Sequence, residues 1–275
     1  MAINAANAIN QIAAGLAGNV EPFVWDKVAI SSTVSNTFAS YWRIGSVPAI
    51  GAIPAAAALC TKALVGAIAF TNQTAPITSY LAQHDLNANV SGFNLEIFDR
   101  LCHMGGLNGT LITAQPVGIN LATLAVPAAR LGDAAYSGVL WFLEWYTTTG
   151  ATAVNATVAV IYSDNSTGNI VIALPASVAA ASCKQILPAH ASGLFIKEVT
   201  SVTLSASTVT AGNFGVTAAT KKTAMSCPNS IRNEVFDWAQ LGLPEIPNDS
   251  CLYGMTLCNA TSASSMRGQG RIIHA

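Results

Sequence analysis

Residues 137–177 read SGVLWFLEWYTTTGATAVNATVAVIYSDNSTGNIVIALPAS and predict three consecutive β-strands. In the first segment, large apolar side chains occupy every second position, which is the period of a strand with one buried face. These side chains are Val139, Trp141, Leu143 and Trp145. Alternation resumes over 154–162, and the loop residues at 164–168, DNSTG, precede a further strand at 170–174. The short turns predict an antiparallel meander, with both tryptophans in the core.

Short strand patterns separated by turn residues continue along the rest of the 275-residue chain. The clearest helix pattern is 231–241, IRNEVFDWAQL, where apolar residues recur at helical spacing and Gly242 provides a stop. Many short strands with a single short helix in the C-terminal region predict a mainly β chain. We expect an antiparallel β-sandwich of jelly-roll-like type with extended terminal arms.

We expect the chain to divide into three parts. Residues 1–40 are predicted to form an N-terminal arm and the first strand, residues 41–258 the β-sandwich domain, and residues 259–275 a C-terminal tail. No stretch offers the roughly 20 uninterrupted apolar residues that a transmembrane helix requires. The N-terminus also lacks the basic residues of a secretory leader. We therefore expect no membrane association.

Charged residues are scarce in this chain. Asp, Glu, Lys and Arg make up 9% of the sequence, against about 25% in an average soluble domain. The net charge is −1 and no basic run occurs, so binding to nucleic acid through its phosphates is not expected. A surface this poor in charge is typical of a protein that other subunits cover. We therefore expect a homo-oligomer.

Two acid–histidine clusters are the only candidates for catalysis. His84 precedes an aspartate, and Asp99 and His103 would share a face of one strand. Such groups can act in acid–base chemistry or bind a metal ion. A more usual arrangement has Asp99 and Arg100 near a strand end, each paired with a neighbouring charge, and His103 in a turn. No nucleophile elbow, P-loop or dinucleotide-binding motif occurs. We expect no enzyme activity and no catalytic, cofactor-binding or metal-binding residues.

Aromatic residues and cysteines offer two further alternatives. Trp141, Trp145 and Tyr146 could line a carbohydrate platform, although alternating aromatics in a sheet are more typical of a core. The six cysteines form no CxxC motif or zinc-site spacing, which favours buried thiols. Oxidation outside the cell is the alternative, with Cys251 and Cys258 as the nearest local pair. Their spacing places them on opposite faces of a continuous strand.

Five segments follow one another in an order that resembles structural proteins encoded by tailed bacteriophages. They are YWRIGSVPAIGAIPAAAALCTKALVGAIAF (41–70), FDRLCHMGGLNGTLITAQPV (98–117), LWFLEWYTTTGATAVNATVAVIYSD (140–164), VTSVTLSASTVTAGNFGVTAA (199–219) and LGLPEIPNDSCLYGMTLC (241–258). The resemblance covers roughly residues 40–258. It consists of Trp, Pro, Gly and strand motifs, and no catalytic residues accompany it.

The resemblance implies a virion location, after assembly in the bacterial host cytoplasm. It favours a capsid decoration, or cement, protein that binds the major capsid protein or other virion proteins. A major capsid protein usually has a long spine helix and a charged extended loop, and this chain shows neither. The alternatives are a major capsid, neck, tail or fibre-base protein, or a carbohydrate-binding adsorption module. By analogy with the quasi-threefold positions of icosahedral shells, the favoured oligomer is a trimer.

Overall fold

The chain is mainly β, as the sequence predicts. The computed structural model describes residues 19–30, 37–188, 190, 192–210, 212–230, 232–258 and 265–275. Over these residues the strands pair antiparallel in sandwich-like and barrel-like sheets. The helical segments are single turns, namely α1 (Ala128–Leu131), α2 (Trp238–Leu241) and a 3-10 turn at Tyr41–Arg43. No helix in this part of the chain is long and apolar enough to cross a bilayer.

Six strands form a closed barrel. They are β2 (Phe38–Ser40), β6 (Phe93–Leu107), β8 (Val139–Trp145), β11 (Ser182–Ile186), β13 (Phe214–Cys227) and β16 (Leu252–Leu257). The order β13-β8-β11-β2-β16-β6 closes because β13 also pairs with β6 along its whole length. The two-residue strand β4 (Ala58–Leu59) attaches to β6. Side chains from four of the barrel strands meet in the interior, and these are Phe98, Phe142, Cys183 and Tyr253.

Two open sheets pack against the outside of the barrel. The larger contains β1 (Val20–Lys27), β3 (Ser46–Val47), β5 (Ser79–Ala88), β14 (Asn233–Phe236), β15 (Glu245–Ile246) and β17 (Met266–His274). The smaller contains β7 (Gln115–Asn120), β9 (Val154–Tyr162), β10 (Thr167–Leu174) and β12 (Ile196–Leu204), in the order β10-β9-β12-β7. Each sheet buries one face against the barrel, so the fold has two apolar cores outside the barrel interior.

The strands predicted within residues 137–177 are present, but one of them pairs differently. β9 and β10 form the predicted hairpin, in which Thr167 lies opposite Ile161. β8 lies in the barrel between β11 and β13 instead, so the predicted three-stranded meander is wrong. Both faces of β8 are buried, since Phe142 lies in the barrel interior. The alternation correctly places Trp141 and Trp145 together on the face that lies in the same core as β9. It does not identify the neighbouring strand.

The helix predicted over 231–241 is wrong in its first half. Asn233–Phe236 pairs with β5 as a strand, and the helical turn begins only after Asp237. The Asp237 carboxylate caps this turn by accepting two backbone N–H hydrogen bonds of 3.0 Å. The predicted stop is confirmed, since Gly242 adopts a left-handed φ of +76°. Ile231 lies outside the described residues.

The C-terminal segment is an internal strand. β17 pairs with β1 on one side and β5 on the other, whereas the sequence assigned residues 259–275 to a tail. A Ser- and Gly-rich composition does not predict a strand. The strand forms nevertheless, because its pairing is made by backbone groups. Gly270 is required here, because a Cβ at this position would lie 1.9 Å from the Phe23 ring. Residues 1–18 and 259–264 of the predicted arms lie outside the described residues.

The segment 41–70 contributes side chains to the barrel interior. The Trp42 ring meets that of Tyr253 edge-on at 5.8 Å, and its indole N–H donates to the Ala52 carbonyl at 2.7 Å. The chain passes so close to this indole that a Cβ on Gly51 would lie 2.1 Å from it. The aromatic and glycine residues of this motif are therefore needed for packing.

Candidate functional site

Two buried ion pairs start from neighbouring positions of β6. Arg100 contacts Glu144 at 2.7 Å, and Arg130 contacts Asp99 at 2.6 Å. The side chains of all four residues are at most 2% exposed. Because Asp99 and Arg100 are consecutive on a strand, they project to opposite sides of it. The predicted pairing of each charge with a neighbour is confirmed, but the residues lie in the middle of the strand and not near its end.

Arg100 is enclosed by aromatic rings inside the barrel. Its guanidinium carbon lies 4.5 Å from the ring centroids of both Trp42 and Tyr253. Its Nη1 also donates to the Thr217 hydroxyl at 3.3 Å. These two cation–π contacts supplement the buried ion pair with Glu144. This arrangement fixes the guanidinium in place as a structural element.

His103 belongs to a directional chain of hydrogen bonds. The Thr217 hydroxyl donates to the Glu144 carboxylate at 2.9 Å, so it must accept from His103 Nδ1 at 2.8 Å. His103 Nε2 then accepts from the Tyr146 hydroxyl. Burial lowers the pKa of His103 well below its usual range, and the nearby Arg100 charge lowers it further. The ring is therefore neutral and is held at both nitrogens.

The predicted acid–histidine clusters do not form a catalytic site in the structure. Asp99 is bonded to Arg130, whereas His103 is bonded to Thr217 and Tyr146, so the two do not form a dyad. His103 also lies within β6 and not in the expected turn. His84 lies in a different sheet. All three predicted residues are 0% exposed, so a substrate has no access to them.

His84 lies in the apolar core of the larger sheet. Its ring centroid is 5.7 Å from that of Phe23 and 6.5 Å from that of Trp25. Burial lowers the pKa of His84 to about 4, although the Asp85 backbone acts in the opposite direction. The neutral form is thus the one that the fold accommodates.

Acid should destabilise the fold through His84. Between the unfolded pKa of about 6.5 and the folded pKa of about 4, the unfolded chain binds a proton that the folded chain does not. Stability is therefore lost as the pH falls through this window, by up to about 3 kcal/mol from this residue. We expect His84→Leu to reduce the loss, as measured by urea unfolding at about pH 7 and about pH 4.5. Equal pH dependence in both proteins would contradict the assignment.

The tryptophans of β8 do not form a carbohydrate platform. Trp141 and Trp145 are each 1% exposed and lie in the core between the barrel and the smaller sheet. Trp145 stacks on Phe214, with ring centroids 5.4 Å apart. The prediction that both are core residues is confirmed.

The cysteines are buried and joined by no disulfide. Burial raises the pKa of Cys60 to about 12, which makes this thiol unreactive. Cys251 and Cys258 lie in different apolar clusters, as their spacing predicts. Within the described residues, no group of three or more His, Cys, Asp and Glu side chains is placed to hold a metal ion.

The outward side of the smaller sheet carries no charge over most of its area. We call this surface the neutral face, and it consists of Pro116, Gly118, Asn155, Thr157, Ala159, Thr167, Asn169, Val171, Ala173, Ser201 and Thr203. The charged residues of this sheet, Lys197 and Glu198, lie at one end, where Glu198 pairs with Asn120. A surface depleted of charge is characteristic of the centre of a protein–protein interface.

Four uncharged loops lie together at one end of the molecule. We call this surface the neutral loop end, and it comprises residues 108–114, 147–153, 175–181 and 205–210. Backbone hydrogen bonds join Thr208 to Gly109 at 2.9 Å and Ser177 to Gly150 at 2.8 Å. A Cβ on Gly150 would lie 1.8 Å from the Thr208 carbonyl oxygen, so these two loops are in direct contact. The large apolar side chains exposed here are Leu111, Ile112 and Val209.

The sequence alone did not reveal these surfaces. Their residues are common surface types, and only the fold brings the separate segments together. The signal that was available is the low charge of the whole chain, which indicated covered surface without locating it. The partners of the buried ion pairs, Glu144 and Arg130, were also unassigned, although an acid among the apolar residues of β8 is an unusual feature.

Comparisons with known proteins give little further information. The chain matches no family model and no curated protein. A structure of the infectious bursal disease virus VP2 subviral particle is 9% identical, with 97% of this chain and 86% of that chain covered and a TM-score of 0.18. T=1 particles derived from infectious bursal virus give 8% identity, coverage of 97% and 82%, and a TM-score of 0.19. TM-scores this low do not establish a shared fold, so these similarities carry no argument about function.

Proposed function

We propose that this chain is a non-enzymatic structural component of a tailed-phage virion, and specifically a capsid decoration protein. In this role it binds the head shell in several copies through the neutral face and the neutral loop end. One observation carries the proposal: a sheet face and a cluster of loops are exposed, yet contain no charged residue. The sequence resemblance to tailed-phage structural proteins supplies the biological setting.

The physical argument rests on contact area. A stable interface buries about 800 Å² on each partner, and burying charged groups in it requires excellent pairing. A neutral surface avoids that cost. Exposed aliphatic side chains add a favourable contribution, and in the neutral loop end Ile112 is 58% and Val209 71% exposed. Burial of these side chains under a neighbouring subunit therefore stabilises the complex.

The loops are held in a defined conformation before any partner binds. The buried Gln115 side chain accepts a hydrogen bond from the Asn108 N–H at 2.7 Å and donates to the Asn108 carbonyl at 3.0 Å. This clamp closes the loop that carries Leu111 and Ile112. A loop that is already ordered loses less conformational entropy on binding, which suits a protein that attaches to a fixed shell.

Imaging of virions tests the proposal directly. Purified particles should be labelled with an antibody to this chain and examined by negative-stain electron microscopy. Label distributed over the head shell is the expected result. Label confined to the neck, tail or fibre base would contradict decoration but keep a structural role, and particles without label would overturn both.

A substitution at the neutral loop end should weaken attachment to the shell. We expect Ile112→Asp to reduce binding to heads that lack the protein by about tenfold or more, because it places a charge in a covered apolar contact. Stability should be unchanged, since the side chain is exposed. Val65→Asp is a matched control, because Val65 is 59% exposed but lies outside both neutral surfaces. Equal loss of binding by both variants, in co-sedimentation with heads, would contradict the assigned surface.

A further inference from the structure

The free edge of β10 is the longest unpaired strand edge in the described part of the fold. β10 has eight residues, and no described strand pairs with its outer side. The other end strands of the sheets are shorter, with six residues in β7, four in β14 and two in β3. An exposed strand edge is a template for pairing with another chain.

The backbone groups that face this edge can be identified. The Tyr162 N–H donates to the Ser166 carbonyl at 2.9 Å, next to the pair formed by Ile161 and Thr167. Antiparallel strands alternate between hydrogen-bonded and non-hydrogen-bonded pairs. The odd-numbered residues of β10 therefore direct their N–H and C=O groups away from β9, and these are Thr167, Asn169, Val171 and Ala173.

This edge lacks the features that normally prevent strand pairing. Residues 167–174, TGNIVIAL, contain no charge and no proline, and β10 pairs with β9 without a bulge. Val171, near the middle of the strand, is 62% exposed. β7, at the other edge of the same sheet, is interrupted by Pro116 and by Gly118 at a φ of +67°. One edge of the sheet is thus protected and the other is open.

We propose that β10 pairs with β10 of a second copy of this chain, antiparallel and about a twofold axis at Ile170. In this register Thr167 lies opposite Ala173 of the second copy, and Asn169 lies opposite Val171. All four outward-facing residues then exchange hydrogen bonds, about eight in total. The two smaller sheets become one continuous sheet. A twofold contact of this kind is isologous, so the same strand serves on both sides.

A second copy fits this edge because β10 is complementary to itself in this register. No charged side chain of β10 meets its equivalent, and Asp164, in the hairpin loop, lies opposite the uncharged Ala176 of the second copy. On the inner face, half-buried Ile172 lies opposite Gly168 of the second copy, beside the Tyr162 ring that packs over this glycine. The contact therefore extends the apolar layer without bringing like charges together.

The inference does not rest on the virion role, since self-association is a property of the isolated chain. A single strand pair is a small contact, so we expect a reversible dimer with a dissociation constant roughly in the micromolar range. On a shell, many such contacts would act together. A twofold contact yields a dimer, which distinguishes it from the trimer favoured by analogy with icosahedral shells.

Sedimentation equilibrium of the full-length chain tests the contact over about 1–100 µM. We expect a monomer–dimer equilibrium whose dissociation constant rises about tenfold or more in Val171→Lys and in Val171→Pro. The proline removes an N–H that faces the free edge and spares the hydrogen bonds to β9. Thr157→Lys is the matched control, because it adds the same charge to the same face of the sheet, on β9 instead of the edge strand β10. It should change the dissociation constant by less than about twofold. A monomer at all concentrations, or a dimer or trimer that the Val171 variants leave unchanged, would overturn the proposal.

Cross-linking tests the register. Chains carrying Asn169→Cys are mixed with chains carrying Val171→Cys, oxidised and digested for mass spectrometry. Directly opposed residues of a hydrogen-bonded pair lie about 5.5 Å apart at Cα, within the range of a disulfide. Bonds between position 169 of one chain and position 171 of the other should predominate, because the native thiols are buried. Predominance of like-with-like bonds, or the absence of cross-links at the concentrations where dimers form, would overturn the proposal.

Discussion

Asp99→Asn is expected to destabilise the fold by about 3–5 kcal/mol. The Asp99 carboxylate accepts hydrogen bonds of 2.9 and 2.6 Å from Arg130 and one of 2.7 Å from the Cys251 N–H. Asparagine offers a single acceptor oxygen and no charge. The Arg130 guanidinium would then remain buried without a counter-ion, which costs far more than the loss of an exposed pair. Urea unfolding followed by circular dichroism at neutral pH measures the difference.

Asp26→Asn is the matched control for this substitution. Asp26 pairs with Arg267 at 2.9 Å, but the two side chains are 42% and 70% exposed. Exposed pairs of this kind contribute at most about 1 kcal/mol, so the control should unfold nearly as the intact protein does. If Asp99→Asn were equally mild, the guanidinium of Arg130 would have to be solvated, and an enclosed ion pair between Asp99 and Arg130 would be ruled out.

Local structure was predictable where the pattern depends on neighbouring residues. The alternation at 139–145 predicted the strand and the face that carries Trp141 and Trp145, although the opposite face is also buried, in the barrel interior. The loop at 164–168 predicted the hairpin of β9 and β10. Both depend on residues that are close in sequence. The partners of β8 could not be predicted, because β11 and β13 lie about 40 and 75 residues further along. Closure of the barrel between β6 and β13 spans a still greater separation.

The helix error at 231–241 has a similar origin. Apolar residues at helical spacing are also compatible with a short edge strand followed by one helical turn. Pairing of β14 with β5 satisfies the backbone groups that the helix would have satisfied, and Asp237 supplies the cap where the chain turns. Tertiary contacts thus override a local pattern that was correct only at its C-terminal end.

The sequence predicted that much of the surface is covered, but it did not predict where the covered surface lies. The low fraction of charged residues indicates that a large area needs covering, but any of the sheets could have provided it. The folded chain uses its few charges in two ways. Some form ion pairs inside and beside the barrel, as Arg100 does. Others remain on exposed positions of the larger sheet, as Arg267 does. The smaller sheet and its loops are left almost without charge, and it is this uneven distribution that distinguishes them.

Trp141→Ala is expected to cost about 3–5 kcal/mol of folding free energy, the usual range for a truncated aromatic core residue. The Trp141 ring is 1% exposed and lies in the core shared by the barrel and the smaller sheet. Its indole N–H also donates to the Ile196 carbonyl at 3.1 Å, which links β8 to β12. Truncation therefore leaves a cavity and removes a direct connection between the two layers.

Trp238→Ala provides the comparison, because Trp238 lies half-buried at the start of α2. Losing partial burial of one aromatic side chain should cost only about 1 kcal/mol. Both variants are compared by urea unfolding, followed by far-ultraviolet circular dichroism so that the loss of a tryptophan does not alter the signal. The carbohydrate alternative predicts the reverse pattern, in which Trp141→Ala keeps its stability but loses adhesion to host glycans. Because the indole is enclosed by two packed layers, we expect Trp141→Ala to lower the stability. Any loss of adhesion would then result only from unfolding.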